Sequence, residues 1–187
     1  MEQIVSQGVI DEGEMHAAEL ERVSELIDQE PKHYNAWSHK IFLAELFNTY
    51  HSNVELEFSE KYINLDVRNN SAWSYRRHCI SRLKHFPIPS EIAFVIHHIT
   101  KAPSNESPWV FLRSLPDWYR CEEVEVLCDQ ILSTSDSYAS RHVIDTLALL
   151  YEKTGRPQAA IDLRSKLSAS DLNRQAYLQY RNHLVVV

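Results

Sequence analysis

The sequence has 187 residues, enough for one domain or one small array of repeats, and 44% of them are hydrophobic, as in an ordinary globular chain. A net charge of −7 argues against a broad basic surface for nucleic acid. The three glycines are fewer than a sheet protein with many tight turns would need, so the composition favours helices.

The predicted helices follow one another from residue 17 onward, because the apolar positions recur with helical periodicity. The expected ranges are 17–29, 33–47, 54–67, 70–86, 90–102, 107–115, 122–134, 137–155, 156–170 and 172–185. The third of these begins with acidic residues, Glu55 and Glu57, which suit the positive end of a helix dipole. No segment shows the period-2 alternation of a strand, so the predicted fold class is all-α.

The cysteines and the N-terminus indicate the compartment. Cys79, Cys121 and Cys128 form no CxxC pair, which indicates reduced thiols in a reducing environment. The first residues, MEQIVSQGVIDEGEMH, lack the apolar run of a signal peptide, and no stretch approaches the roughly 18 apolar residues that a membrane span needs. We therefore expect a cytoplasmic protein with no membrane span.

Three tryptophans reveal a repeat. Trp37, Trp73 and Trp109 are spaced by 36 residues, and the sequences that precede them match: EPKHYNAW, DVRNNSAW and APSNESPW. A fixed period in the mid-thirties is typical of stacked helical hairpins, none of which can bury its apolar face alone. The chain is therefore predicted to be a helical-repeat array.

The middle copy, DVRNNSAWSYRR, predicts how the repeats are held together. Asn69 and Asn70 stand at a helix start, where their side chains can accept hydrogen bonds from first-turn amides. Trp73 is expected to wedge between successive hairpins with its indole N–H on a buried acceptor. Arg76, one turn later, is expected to reach loop carbonyls or a carboxylate of the next repeat. The residues assigned this structural role are Trp37, Asn69, Asn70, Trp73, Arg76, Asn105 and Trp109.

The segment DVRNNSAW, followed one period later by NESPW, resembles the repeats of protein prenyltransferase alpha subunits, most of all the subunit shared by farnesyltransferase and type I geranylgeranyltransferase. Three successive repeats match over 16–115, and 120–187 fits as further tetratricopeptide-like helices. The resemblance implies an alpha-alpha superhelix, a right-handed solenoid of hairpins, over a single domain 16–187. We expect 1–15 to be poorly structured. Within 147–167, Gly155 and Ala160 are small residues expected to let two helices approach closely.

The resemblance also implies a function. Such alpha subunits pair with a beta subunit, and the heterodimer transfers a farnesyl or geranylgeranyl group from its diphosphate to a cysteine in a C-terminal peptide. Zinc, with magnesium as a further candidate, belongs to the holoenzyme through the beta subunit. This sequence has no clustered Cys, His or Asp with ligand spacing, so we expect no metal in this chain, and we assign no residue a catalytic role. The alternative is a non-enzymatic scaffold that binds other proteins.

In this family the polar start of a repeat helix lies beside the isoprenoid diphosphate, which implies a role for Lys32, Tyr34 and Asn35 in KHYNAW. Lysine suits phosphate as a point charge, and tyrosine offers an apolar face and a hydroxyl. The competing interpretation makes Lys32 a solvated residue and Tyr34 a packing residue. Many relatives have His in place of Asn35, and Arg in place of Lys40.

Family alpha subunits are considerably longer than this chain. One period before Trp37 lies Met1, so we expect a C-terminal portion or short form in which 16–30 is the second helix of a truncated repeat. The resemblance places a further diphosphate-contacting lysine in the missing part. An apolar flank left exposed would favour self-association, and the chain is not expected to be active alone.

Overall fold

The computed structural model describes residues 12–51, 53–83, 87–134, 137–170 and 175–186. Within these ranges the chain forms ten α-helices and no strand. They are α1 (Glu12–Gln29), α2 (Tyr34–Phe47), α3 (Val54–Leu65), α4 (Asn70–Arg82), α5 (Ile88–Lys101), α6 (Glu106–Ser114), α7 (Glu122–Ser133), α8 (Ser137–Lys153), α9 (Pro157–Ser170) and α10 (Gln175–Val186). Short 3₁₀ turns span Thr49–His51 and Trp118–Arg120.

The all-α prediction is confirmed, with differences at some helix ends. Helix α1 begins at Glu12, so residues 12–15, which were expected to lack structure, are helical. Residues 1–11 lie outside the described part of the chain. Helix α5 begins before the expected Ser90, because Pro89 falls in its first turn, where the fixed φ of proline suits a helix and its missing N–H costs nothing.

The helices form two compact units. Unit 1 is Met1–Lys84 and contains α1 to α4. Unit 2 is His85–Val187 and contains α5 to α10. Each unit has its own buried apolar residues.

Unit 1 consists of two helical hairpins. Helix α1 packs along α2, α3 packs along α4, and α2 also contacts α4. Val23 and Ile27 of α1 are buried in this core. The expectation that 16–30 is the second helix of a truncated repeat is therefore wrong: α1 is the first helix of the hairpin that carries Trp37.

The three repeat tryptophans share one geometry. The indole N–H of Trp37, Trp73 and Trp109 donates to the backbone carbonyl six residues earlier, at 2.8 Å in each case. All three indoles are buried. Each helix also starts at a capping side chain four residues before its tryptophan, which satisfies one of the first-turn amides.

Trp37 packs against the following hairpin, which is the wedge arrangement expected of a stacked repeat. Its ring lies 5.3 Å from Tyr62 and 5.7 Å from Phe58 between centroids, with edge-to-face geometry in both pairs. In unit 2, Trp109 of α6 stacks on His142 of α8 at 6.5 Å. The same wedge role for Trp73 stays a prediction.

Unit 2 continues the pattern of neighbouring helices, with close packing of α8 on α9 and of α9 on α10. Ala160 of α9 is fully buried, as expected of a small residue between two helices. Gly155 is suited to its position by its backbone conformation instead. Its φ is +74°, and an added Cβ would meet nothing within 4 Å. Gly155 therefore ends α8 in a left-handed conformation and does not serve close helix approach.

Among the described residues, we find no helix with both the length and the apolar character needed to cross a membrane.

Candidate functional site

The starts of α2 and α4 lie side by side in unit 1, held by a shared acceptor. The backbone carbonyl of Pro31 accepts the indole N–H of Trp37 at 2.8 Å and the side-chain amide of Asn69 at 2.7 Å. Asn69 in turn caps α4, since its Oδ1 accepts the N–H of Ala72 at 3.2 Å. The loop before α2 is thereby tied to the first turn of α4. Asn70 is the first residue of α4 and is exposed.

The three residues assigned to the diphosphate, Lys32, Tyr34 and Asn35, lie together at the exposed start of α2. Tyr34 is 70% exposed, so its ring is available to a ligand or partner rather than packed in the core of unit 1. The ammonium of Lys32 lies 2.7 Å from the carboxylate of Asp66, which follows α3.

Asp66 is the site residue that the sequence interpretation did not include. The hydrogen bond from Lys32, and after it the backbone N–H of Arg68 at 2.8 Å, lower the pKa of Asp66 below its usual value. The Lys32 and Asp66 side chains are 63% and 37% exposed, and such exposed pairs contribute only about 0–1 kcal/mol. A more highly charged anion can therefore take Lys32 from Asp66.

Unit 1 also contains a buried polar cluster between its two hairpins. The Lys40 ammonium lies 3.2 Å from the Glu55 carboxylate, and the Tyr75 hydroxyl donates to the same carboxylate at 2.6 Å. Lys40 also sits 4.1 Å from the centroid of the Phe58 ring. The cluster joins the middle of α2 to α3 and α4. Glu55 was expected only to complement a helix dipole; its burial depends on a partner in another helix.

Arg76 binds α3 of its own hairpin. Its Nη1 donates to the Leu56 carbonyl at 3.0 Å and to the Ser59 hydroxyl at 3.3 Å, and lies 3.8 Å from Glu60. A backbone carbonyl and a carboxylate were the expected partners. These contacts close the α3–α4 hairpin, and a contact from Arg76 to the next repeat stays a prediction.

Helix α2 also exposes apolar side chains. Phe42 and Leu46 are 55% and 60% exposed and lie four residues apart, so they share one face. The ring of His39 stacks on Phe42 at 6.0 Å. At the corresponding positions one period later, α4 carries His78 and Arg82, which bind Glu45. The apolar surface formed by Tyr34, Phe42 and Leu46 is thus a property of α2 that α4 does not share.

No group of three His, Cys, Asp or Glu among the described residues is arranged to hold a metal ion. Of the neighbouring histidines, His97 is exposed, whereas His98 is buried and meets Phe94 edge-to-face at 4.6 Å. Neither forms part of a metal site in the described ranges.

Two segments of this chain match a repeat known from other proteins. Residues 16–47 and 52–83 each match the sequence pattern described as "Protein prenyltransferase alpha subunit repeat". Each of these two segments is therefore similar to a prenyltransferase alpha subunit repeat. The matched segments correspond to the α1–α2 and α3–α4 hairpins, so the resemblance drawn from the sequence is confirmed. The copy around Trp109 shares one feature with these two repeats: its indole N–H donates to the backbone carbonyl six residues earlier, that of Pro103.

Two relatives extend the comparison. The "Protein farnesyltransferase/geranylgeranyltransferase type-1 subunit alpha" of Dictyostelium discoideum is 32% identical over 96 residues, which are 49% of this chain and 29% of the relative. A chain of "Candida albicans protein geranylgeranyltransferase-I complexed with GGPP" has a TM-score of 0.75 at 24% identity, covering 90% of this chain and 59% of that chain. The second comparison confirms the helical-repeat fold class. The chain spans less than two thirds of either relative.

Proposed function

We propose that this chain acts as the alpha subunit of a heterodimeric protein prenyltransferase, which transfers a farnesyl or geranylgeranyl group to a cysteine in a C-terminal peptide. The observation that carries the proposal is the pair of prenyltransferase alpha subunit repeats whose polar helix starts meet at one exposed edge. The names of the two relatives describe a subunit of such an enzyme and such an enzyme itself, and both relatives are longer than the part this chain matches.

In this proposal Lys32 binds the isoprenoid diphosphate after releasing Asp66. The diphosphate leaves with the electrons of the broken carbon–oxygen bond, so a cation beside it stabilises the developing charge. Tyr34 packs its exposed ring against the isoprenoid, and Asn35 supplies a polar contact in the same first turn. The free N–H groups at the start of α2 add a further attraction for an anion.

The partner is a beta subunit. Zinc, when bound there, lowers the pKa of the substrate thiol, and magnesium is a further candidate cofactor of the holoenzyme. The roles proposed for Lys32, Tyr34 and Asn35 do not require a metal bound to this chain. The apolar surface formed by Tyr34, Phe42 and Leu46 is the face of unit 1 that we assign to the beta subunit, since a stable interface core needs exposed apolar and aromatic side chains. We place the complex in the cytoplasm and expect no activity from this chain alone.

Co-expression with prenyltransferase beta chains tests the proposal. We expect a co-purifying heterodimer that transfers a prenyl group to a peptide with a C-terminal cysteine motif. Failure to bind any beta chain overturns the proposal. A stable heterodimer without turnover would support the beta subunit as the partner. It would also show that a heterodimer containing this chain does not transfer a prenyl group.

Matched surface variants sharpen the test. Phe42→Lys places a charge on the assigned face and is expected to weaken the heterodimer at least about tenfold. Leu65→Lys is the control, since Leu65 is 69% exposed on α3 and lies outside that face. Equal effects of the two variants would exclude the α2 face as the docking surface.

The alternative function is a non-enzymatic scaffold, and α10 provides the observation that favours it. Tyr180 and Leu184 are 60% and 54% exposed there, so unit 2 also offers apolar side chains to a protein partner. Capture of partners by a chain that binds no beta subunit would favour this function.

A further inference from the structure

Unit 2 contains a cavity that the proposed function does not use. Its volume is about 130 Å³, and it is formed by side chains of α6, α8, α9 and α10. The lining residues are Arg113, Asp145, Leu149, Arg164, Tyr177 and Arg181. Three guanidinium groups therefore meet at one small cavity, each from a different helix.

The arginines outnumber the carboxylates that neutralise them. Glu152 serves two arginines at once: its carboxylate lies 2.5 Å from Arg164 and 3.2 Å from Arg181. Arg164 is only 3% exposed, which makes its charge costly unless it is fully compensated. With Arg113 and Asp145 included, the described residues at this cavity comprise three positive and two negative groups, an excess of one positive charge among them.

Arg113 is held in place by a hydrogen-bond chain. Its Nη1 donates to the Thr146 hydroxyl at 3.0 Å. That hydroxyl donates its own proton to the His142 carbonyl at 2.7 Å, so its oxygen is left to accept from Arg113. Arg164 is fixed in the same way by Glu152. The guanidinium groups are thus positioned before any ligand arrives, which lowers the entropy cost of binding.

We propose that this cavity binds a phosphoryl group, either as free phosphate or as the phosphorylated side chain of a peptide. Guanidinium groups recognise phosphate through paired N–H donors, and donors arriving from three helices suit a tetrahedral group better than a planar carboxylate. Tyr177 lines the same cavity. A phosphoryl dianion also compensates the excess positive charge.

Isothermal titration of the full chain with inorganic phosphate, in chloride buffer of constant ionic strength, tests the proposal. We expect saturable binding of one phosphate, and acetate binding at least about tenfold more weakly. No binding up to about 10 mM phosphate overturns the proposal, as does equal affinity for acetate.

Arg181→Gln is the diagnostic variant, because Arg181 is partly exposed and its loss leaves Arg164 paired with Glu152. We expect it to weaken phosphate binding at least about tenfold. Arg156→Gln is the matched control in the same unit: Arg156 also pairs with a glutamate, Glu125, but does not line the cavity. Loss of affinity in the control alone, or in both variants equally, contradicts the assignment.

A phosphoserine peptide and its unphosphorylated form distinguish the two sources. Tighter binding of the phosphopeptide than of phosphate identifies a peptide ligand, whereas binding of phosphate alone identifies the free anion. The cavity lies in unit 2, whereas the prenyltransferase assignment rests on unit 1. Failure of the phosphate-binding proposal therefore leaves the prenyltransferase proposal intact, and the reverse also holds.

Discussion

The ammonium of Lys40 lies 3.2 Å from the carboxylate of Glu55, and the two side chains are 5% and 7% exposed. Lys40 belongs to the first matched repeat and Glu55 to the second, so this ion pair joins one hairpin to the next. The hydroxyls of Tyr75 and Thr49 donate to the two oxygens of the same carboxylate, at 2.6 Å and 3.2 Å. A buried charge pair with this many partners specifies how the repeats stack.

Lys40→Met is expected to destabilise unit 1 by about 3–5 kcal/mol, because it leaves the Glu55 carboxylate buried without its cation. Urea unfolding measures the change. The control is Lys61→Met, which removes an exposed ion pair with Asp28 and is expected to cost under about 1 kcal/mol. Adding Glu55→Gln to Lys40→Met should recover part of the loss, and equal costs for the two lysine variants would contradict the buried pair as the source of stability.

Trp73→Ala is expected to cost about 3–5 kcal/mol of unfolding free energy, since it empties a site in which the indole is 2% exposed. Trp73→Phe keeps an aromatic ring but removes the donor to the Val67 carbonyl, so its cost is expected to be smaller, about 1–3 kcal/mol. Chemical unfolding curves measure both. A cost under about 1 kcal/mol for the alanine variant would show that the indole does not hold the repeat.

Much of the fold was predictable because its signals are local. Capping residues such as Asn69 and prolines such as Pro116 mark helix ends without reference to distant parts of the chain. The 36-residue spacing of the tryptophans predicted the hairpin array for the same reason. The assignment of α1 was wrong because a series of consecutive helices can be paired into hairpins in two ways. Only the packing of α1 on α2 decides between them.

The site was less predictable, because its main features depend on distant partners. The exposure of Tyr34 and the ion pair of Lys32 with Asp66 arise only when two helix starts are brought together. Glu55 looks like any first-turn glutamate until Lys40 faces it. Each pairing joins residues of different hairpins, and no local pattern records such a contact.

Lys32→Ala is expected to weaken binding of an isoprenoid diphosphate to the heterodimer about tenfold, because it removes the cation assigned to the diphosphate. Asp66→Asn is expected to strengthen binding, since it removes the carboxylate that competes for Lys32. Fluorescence titration with a labelled isoprenoid diphosphate measures both. Opposite effects from two members of one ion pair are not expected from a change in stability alone, and a loss of affinity in both variants would contradict the assignment.

The pH dependence of stability in unit 2 depends on His142. Burial, and then the charge of Arg141, lowers the pKa of this 4%-exposed imidazole below its ordinary value of 6.5. Below pH 6.5 the unfolded chain therefore takes up a proton that the folded chain does not, so this contribution to stability is complete above 6.5 and is lost as pH falls toward the lower, folded-state pKa. One such group contributes a slope of at most about 1.4 kcal/mol per pH unit.

His142→Gln is expected to reduce that slope, because the replacement side chain does not titrate. The measurement compares urea unfolding of the two proteins at about pH 7.5 and about pH 5.5, where the unfolded-state imidazole is mostly neutral and mostly charged. His78 of unit 1 has its pKa lowered by burial as well, so some dependence on pH is expected to persist in the variant. The loss in the variant should therefore be partial, and an unchanged difference between the two pH values would show that His142 does not couple protonation to the folding of unit 2.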